Sequence, residues 1–291
     1  MTTAGHADLV QTQDGSWYAV YLACRPYEGD LYNIGRETFL NPVSWTADGW
    51  PVILQGDELI KFRYPLPLPG VNPKPVNPFT GNFTYRDDFD NTLLDHRYIF
   101  LRTVTEMWYS TMDKKGRLSL LLRPETVSGR SNPSFIGFRQ SHHQAEVTTK
   151  LEFVPAAENE KAGLVIFQNE RTYYYVCKSI NKGKPVVQLF QATKDSTSMN
   201  LLIEKPLSSV QGDVFFKIEP KNSIYTISSS TDGKNWTKLQ DVDGTILSTA
   251  KAGGFVGSVF GLYATSSGKQ SANRAYYDWF EYRGKDPVFD Q

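Results

Sequence analysis

Helical periodicity is nearly absent from this chain of 291 residues, and so is any candidate membrane span. No apolar run approaches the ~18 residues that a crossing helix needs. The first twenty residues hold neither a basic stretch nor an apolar core of the kind that marks a secretory leader. The chain as written is therefore expected to be neither exported nor membrane-bound, and cytoplasmic by default. Cysteine is scarce: Cys24 and Cys177 are far apart, and neither sits in a CxxC or CxH pattern, which argues against zinc or dithiol chemistry. Both are expected to be small buried hydrophobes. Excess charge is missing too. Lys plus Arg (31) equals Asp plus Glu (31), leaving no basic field for nucleic acid or an anionic membrane. Neutral sugars or peptides suit that balance better.

Aromatic residues, in contrast, are plentiful at 13%. Rings can stack on the apolar faces of sugars, but all-β cores are rich in Tyr, Phe and Trp in any case. The segments DLVQT, SWYAVYLA, ETFLNPVSW and WPVIL read as four short strands, with hairpin signals at Asp14-Gly15 and Asp48-Gly49. Four antiparallel strands in about 50 residues is the size of one propeller blade. One blade cannot cover both of its faces. Residues 63–82, RYPLPLPGVNPKPVNPFTGN, follow with six prolines in twenty positions, which predicts an extended linker.

From Phe83 onward, strands resume: RLSLLLRP, SFIGFRQ, AEVTTKLEFVP, AGLVIFQ, TYYYVCKSI, PVVQLFQAT, DVFFKIEP, SIYTISSS, WTKLQ, GLYATSS and AYYDWFEY. Turns at Asn181-Lys182-Gly183 and Asp232-Gly233-Lys234 close hairpins. About a dozen strands without helices predict two packed antiparallel sheets. The alternation in TYYYVCKSI and SIYTISSS predicts one apolar and one wet face.

GHADLVQTQDGSWYAVYLACRP and YNIGRETFLNPVSWTADGWPVI resemble the last blade of glycoside hydrolase family 43 enzymes of the β-xylosidase type. FIGFRQSHHQAEVTTKLEF, EKAGLVIFQNE, SSTDGKNW and YYDWFEY resemble the β-sandwich that follows the propeller in those enzymes. The resemblance covers essentially the whole chain. It implies an all-β protein: about one blade of a five-bladed propeller (1–62), a Pro-rich linker (63–82) and a concanavalin A-like antiparallel sandwich (83–291). It also implies inverting hydrolysis of terminal xylose or arabinofuranose, in which an acid protonates the leaving oxygen and a base activates water. In the family these carboxylates precede the GHADLV segment, so no catalytic residue is expected in this chain.

By the same resemblance His6 lies near the propeller axis under the sugar, and Arg36 hydrogen-bonds the hydroxyls of the terminal sugar with its planar fork. Phe255, in GGFVGSVFGLYA, corresponds to a sandwich residue that closes the sugar pocket; an ordinary core phenylalanine is the competing reading. Gly253, Gly254 and Gly257 around it suggest an irregular loop. Asp8 reads as a turn cap or a partner for a neighbouring blade, and nothing makes Asp8 and Glu37 an acid/base pair. His142 and His143 are adjacent, so on a strand they face opposite ways and cannot chelate together. Asp88 and Asp90, with Asp87 beside them and Asp278 near the other end, are candidate ligands for a structural calcium; a solvated acidic turn explains them as well. Trp17, Trp45, Trp50, Trp236 and Trp279 are expected to pack in the core. No cofactor is required.

The expected partners are xylan- or arabinan-derived oligosaccharides, not nucleic acid or membrane. The uncovered blade would favour self-association or a complementary propeller chain. A non-catalytic carbohydrate-binding or purely structural sandwich is the alternative reading.

Overall fold

The protein is described by a computed structural model over residues 1–65, 79–195 and 198–290. Of the expected linker, 66–78 lies outside the described residues. The first 52 residues form a four-stranded antiparallel sheet in chain order: β1 (Thr2–Gln11), β2 (Trp17–Cys24), β3 (Arg36–Trp45) and β4 (Pro51–Val52). The two Asp-Gly turns share one chemistry. The hydroxyls of Thr12 and Thr46 donate to Asp14 and Asp48 at 2.6 Å, and Gly15 and Gly49 take φ of 88° and 86°, where a side chain would be strained. One face of this sheet buries Ala19, Tyr21 and Ala23 against Phe39, Val43, Ile53 and Ile60. On the other, Val10, Val20 and Leu40 are 45%, 36% and 40% exposed.

The rest of the chain builds two larger antiparallel sheets. In chain order the strands are β5 (Thr84–Asp87), β6 (Tyr98–Phe100), β7 (Tyr109–Ser110), β8 (Leu118–Leu121), β9 (Ser134–Arg139) and β10 (Ala145–Glu152). Then come β11 (Lys161–Asn169), β12 (Thr172–Asn181), β13 (Lys184–Ala192), β14 (Asn200–Pro206), β15 (Val214–Lys221) and β16 (Ile224–Ser230). The last three are β17 (Thr237–Asp243), β18 (Val259–Thr265) and β19 (Arg274–Gly284), with the single-turn helix α1 (Thr249–Ala252) before β18. One sheet runs β17-β16-β15-β10-β19-β8-β7, with β5 also paired to β19; the other runs β14-β13-β12-β11-β18-β9-β6. Each strand expected after Phe83 has its counterpart here. Those not anticipated are β5, β6 and β7, too short to show alternation, and β14. The last is an edge strand whose apolar Leu201-Leu202-Ile203 runs straight into Glu204, Lys205 and Pro206, residues that suit an unpaired edge.

The chain is nearly all-β, as expected, but one detail of the sandwich is corrected. TYYYVCKSI does not have a wet face. Tyr174 and Val176 enter the core between the sheets, and Tyr173, Tyr175 and Cys177 form a second buried cluster on the outer face. The loop after β8 covers that cluster: Val127 N donates to the Tyr263 hydroxyl at 3.2 Å, and the hydroxyls of Ser128 and Tyr173 lie 2.7 Å apart. Cys24 and Cys177 are both free and buried, and burial pushes the Cys177 thiol up to about 12. None of the five tryptophans expected in the core is fully buried. Trp50 is 69% exposed, Trp17 packs edge-on against Trp45, and Trp236 and Trp279 lie under Lys217 and Arg86; the buried one is Trp108. Charged stems on the neighbouring strands cover these indoles at the surface.

Tyr277 joins the two sheets. From β19 its hydroxyl accepts from Gly163 N at 3.0 Å and shares its proton with the carbonyls of Gly163 and Tyr263, both at 2.9 Å, on β11 and β18. Removing that hydroxyl would delete its hydrogen bonds to three backbone groups inside the sandwich, which costs about 1–3 kcal/mol. Tyr277→Phe is therefore expected to lower unfolding free energy by about that amount in urea titration, with the slope against urea unchanged.

Candidate functional site

The four-stranded sheet meets the sandwich along a seam centred on Arg25, at the end of β2's hairpin arm. This residue is 7% exposed, and its guanidinium sits between two carboxylates: Nη1 donates to Asp286 at 2.6 Å, and Nε and Nη2 donate to Glu37 at 3.0 and 3.3 Å. Asp286 also accepts the backbone N–H groups of His143 (3.1 Å) and Gln144 (2.8 Å). His143 Nε2 donates to the Arg25 carbonyl at 2.6 Å, and its ring meets Tyr27 edge-on. Burial lowers the Arg25 pKa, but the contacts with Glu37 and Asp286 outweigh it and the net direction is upward. Burial, with repulsion from Arg25, pushes His143 down to about 4, so its ring is neutral.

The adjacent turn carries the second part of the seam. Asn33 is buried; its side-chain amide nitrogen donates to the Tyr225 hydroxyl and the Gly244 carbonyl, both at 2.9 Å, and its backbone carbonyl accepts from Ser258 N at 2.7 Å. Two residues on, Gly35 and Gly257 touch through their backbones. A Cβ on Gly35 would lie 2.4 Å from Gly257 N, and one on Gly257 would lie 2.3 Å from the Ile34 carbonyl. Only glycine on both sides permits that approach.

Beside that crossing stands one candidate residue from each segment. Arg36 opens β3, and Phe255 stands on the loop after α1. Arg36 Nε donates to the Phe255 carbonyl at 3.2 Å, and its guanidinium carbon lies 5.4 Å from the centre of the Phe255 ring. The loop is held from behind. Gln168 donates to the carbonyls of Gly253 (3.3 Å) and Val256 (3.2 Å), Asn169 to that of Ala252 (3.3 Å), and Thr249 to that of Val256 (3.2 Å). Gly253 and Gly254 adopt φ of 83° and 78° to make the bend. Phe255 is 75% exposed, so it is no core residue.

Arg36 and Phe255, predicted separately from sequence, are thus brought together. His6 is not in contact with either. It is exposed on β1, at φ 53° in a stretch where the pairing with β2 slips twice, and β2 separates it from β3. Asp8 pairs in register with Val20. Glu37 gives both oxygens to Arg25 and so takes no part in a pair with Arg36 or Asp8. His142 and His143 do face different partners: His142 lies between the Tyr282 hydroxyl (2.8 Å) and the Gly81 carbonyl (2.9 Å).

The candidate calcium ligands do not fit an ion. Asp88 is paired with Arg86 at 2.6 Å, and Asp278 with Arg117 and, at 2.9 Å, Lys150. Among the described residues no group of three or more His, Cys, Asp or Glu is arranged to hold a metal. Asp88, Asp90 and Asp278 are thus not assembled into such a group; Arg86 in the same segment takes the carboxylate of Asp88, and Arg117 and Lys150 take that of Asp278.

Residues 86–283 match the family described as beta xylosidase C-terminal concanavalin A-like domain, and residues 1–51 match glycosyl hydrolases family 43. The chain is 34% identical over 289 residues to the non-reducing end alpha-L-arabinofuranosidase BoGH43B of Bacteroides ovatus, covering 97% of this chain and 51% of that protein. It is 35% identical over 278 residues to a xylosidase/arabinosidase of Butyrivibrio fibrisolvens, covering 95% of this chain and 52% of that one. Among solved structures, Bacteroides ovatus xyloglucan PUL GH43B superposes with a TM-score of 0.84 at 33% identity, over 97% of this chain and 54% of that one. BlXynB from Bacillus licheniformis gives 0.83 at 30% identity, over 97% and 53%. The chain spans about half the length of the curated relatives it matches.

Replacing Arg25 by Met would leave the Asp286 charge buried opposite an apolar side chain, which costs about 3–5 kcal/mol. The expected result is lower stability in denaturant and loss of protease protection across residues 2–52. A pH effect follows from His143. Its folded pKa lies below the ordinary histidine value of 6.5, so the unfolded chain binds more protons between the two. Stability is complete above pH ~6.5 and falls as pH drops toward 4; His142, lowered by burial, adds in the same direction. Melting curves at pH 7 and 4.5 measure this. His143→Gln should flatten the slope, and an unchanged slope would count against the assignment.

Proposed function

The chain belongs to glycoside hydrolase family 43 and carries that family's β-xylosidase C-terminal concanavalin A-like domain, and on that premise we propose that it is the C-terminal portion of an inverting exo-glycosidase. The substrate class is xylo- or arabino-oligosaccharides, in keeping with relatives named arabinofuranosidase and xylosidase. In this reading residues 1–62 are the last propeller blade, 63–82 the linker and 83–291 the sandwich.

The observation that carries the proposal is the contact between Arg36 and Phe255, 219 residues apart in sequence. A cationic fork and an exposed ring stand side by side. A terminal sugar offers the complement: neighbouring hydroxyl oxygens for the fork and an apolar face for the ring. With Nε on the Phe255 carbonyl, the two terminal nitrogens of Arg36 remain for the sugar. His6 would approach from β1, two strands across, about 10 Å at ordinary strand spacing.

Inverting hydrolysis needs an acid and a base ~6.5–9.5 Å apart. Glu37, the carboxylate next to Arg36, is committed to Arg25. The chain therefore supplies recognition and support, and the acid and base come from outside it. The apolar face of Val10, Val20 and Leu40 and the free edge of β1 are where neighbouring blades would pack.

By itself the chain should leave aryl β-xylosides and α-arabinofuranosides uncut. Joined to the complementary half of the Bacillus licheniformis relative, it should support turnover. There, Arg36→Ala should lower kcat/KM about 10- to 150-fold, as expected for losing charged hydrogen bonds of ~1.5–3 kcal/mol. Hydrolysis by the chain alone, or an Arg36→Ala hybrid as active as its parent, would overturn the reading. Retardation in xylan or arabinan gels without turnover in any form would favour a carbohydrate-binding module.

A further inference from the structure

A recess on the sandwich, unused by the site above, adjoins the foot of the Phe255 loop. It encloses about 590 Å³ and is lined by the turn between β11 and β12, by Ser128 and Arg130, by Lys194 and by Ala252. That volume lies in the range of small-ligand sites. Ala252 is the one apolar residue in the lining, so the recess does not suit an apolar ligand.

Its charge is lopsided. Arg130, Arg171 and Lys194 line it, and among the described residues none of the three forms an ion pair. The lone carboxylate of the lining, Glu170, is neutralised by Arg102. Arg171 also donates to the Lys194 carbonyl, which fixes its guanidinium against the β13 end of the recess. Between the cations stand neutral polar groups. Thr172 is 2% exposed, and its buried hydroxyl has no hydrogen-bond partner among the described residues. Asn169 is held at the rim by its bond to the Ala252 carbonyl.

Uncompensated guanidinium groups select an anion, and their planar forks match a carboxylate. The hydroxyl and amide groups around them match a polyhydroxylated ring rather than a bare ion. We propose that this recess binds a carboxylate-bearing sugar, a uronic acid. The assignment stands apart from the exo-glycosidase reading. If both hold, the chain would contact a neutral terminal sugar at Arg36 and an acidic branch of the same oligosaccharide beside Ala252.

The test is titration of the full chain with D-glucuronate, D-glucose and inorganic phosphate, followed by saturation-transfer NMR at low salt. Glucuronate should bind at least about tenfold more tightly than glucose, and more weakly as salt rises. Arg130→Ala and Lys194→Ala, at exposed positions, should each weaken it several-fold with unchanged melting temperature, and Arg130→Lys should restore part of the loss. Arg36→Ala should leave glucuronate binding intact, which separates this site from the neutral-sugar site. Equal affinity for glucuronate and glucose would overturn the proposal. So would phosphate binding as tightly as glucuronate, or folded Arg130→Ala and Lys194→Ala variants that bind like the parent.

Discussion

The ion pair between Arg25 and Asp286 is the constraint on which the rest of the seam depends. Both groups are almost wholly removed from water, at 7% and 2% exposure, and they come from opposite ends of the chain. Burying two charges is expensive, and their attraction alone seldom gives a net gain. Here further hydrogen bonds support the pair: Glu37 accepts from Nε and Nη2 of Arg25, and Asp286 accepts from two backbone N–H groups. The result is directional. An apolar patch of equal area would hold the two parts together but tolerate sliding, whereas this arrangement is satisfied in one position.

That position decides what happens further along. The Asn33 turn is buried against Tyr225, whose hydroxyl also donates to Gln140, so a polar chain runs from the small sheet through β16 to the end of β9. With the turn fixed, Gly35 and Gly257 come within backbone contact. Arg36, directly after Gly35, and Phe255, two residues before Gly257, then meet beside that contact. The exposed pair is a consequence of the buried one.

The small sheet has one covered and one open face, which is what a single blade must have. The sandwich solves the same problem differently. Its seven-stranded sheet is covered on the outside by the loop carrying Val127, so β12 is apolar on both faces. Its core includes Tyr277, whose hydroxyl is satisfied by backbone made accessible at Gly163.

Much of this was legible in the residues. Period-two alternation and Asp-Gly turns marked the strands and hairpins, because side-chain direction along a strand and positive φ at glycine are local properties. The motifs around His6 and Arg36, with the sandwich segments behind them, pointed to one family. What failed were inferences about environment: which tryptophans are covered, whether β12 has a wet face, and which carboxylates stand together. Those depend on what packs from elsewhere. Likewise, nothing near Arg25 in sequence announces Asp286, 261 residues away. The sequence by itself determined most of the strands, their hairpin turns and the chemical character of each candidate residue. Only the tertiary structure decided their pairings: Glu37 to Arg25 and not Arg36, Asp278 to Arg117 and Lys150, Arg36 to Phe255. An interaction between distant residues exists only once the chain has closed the loop between them.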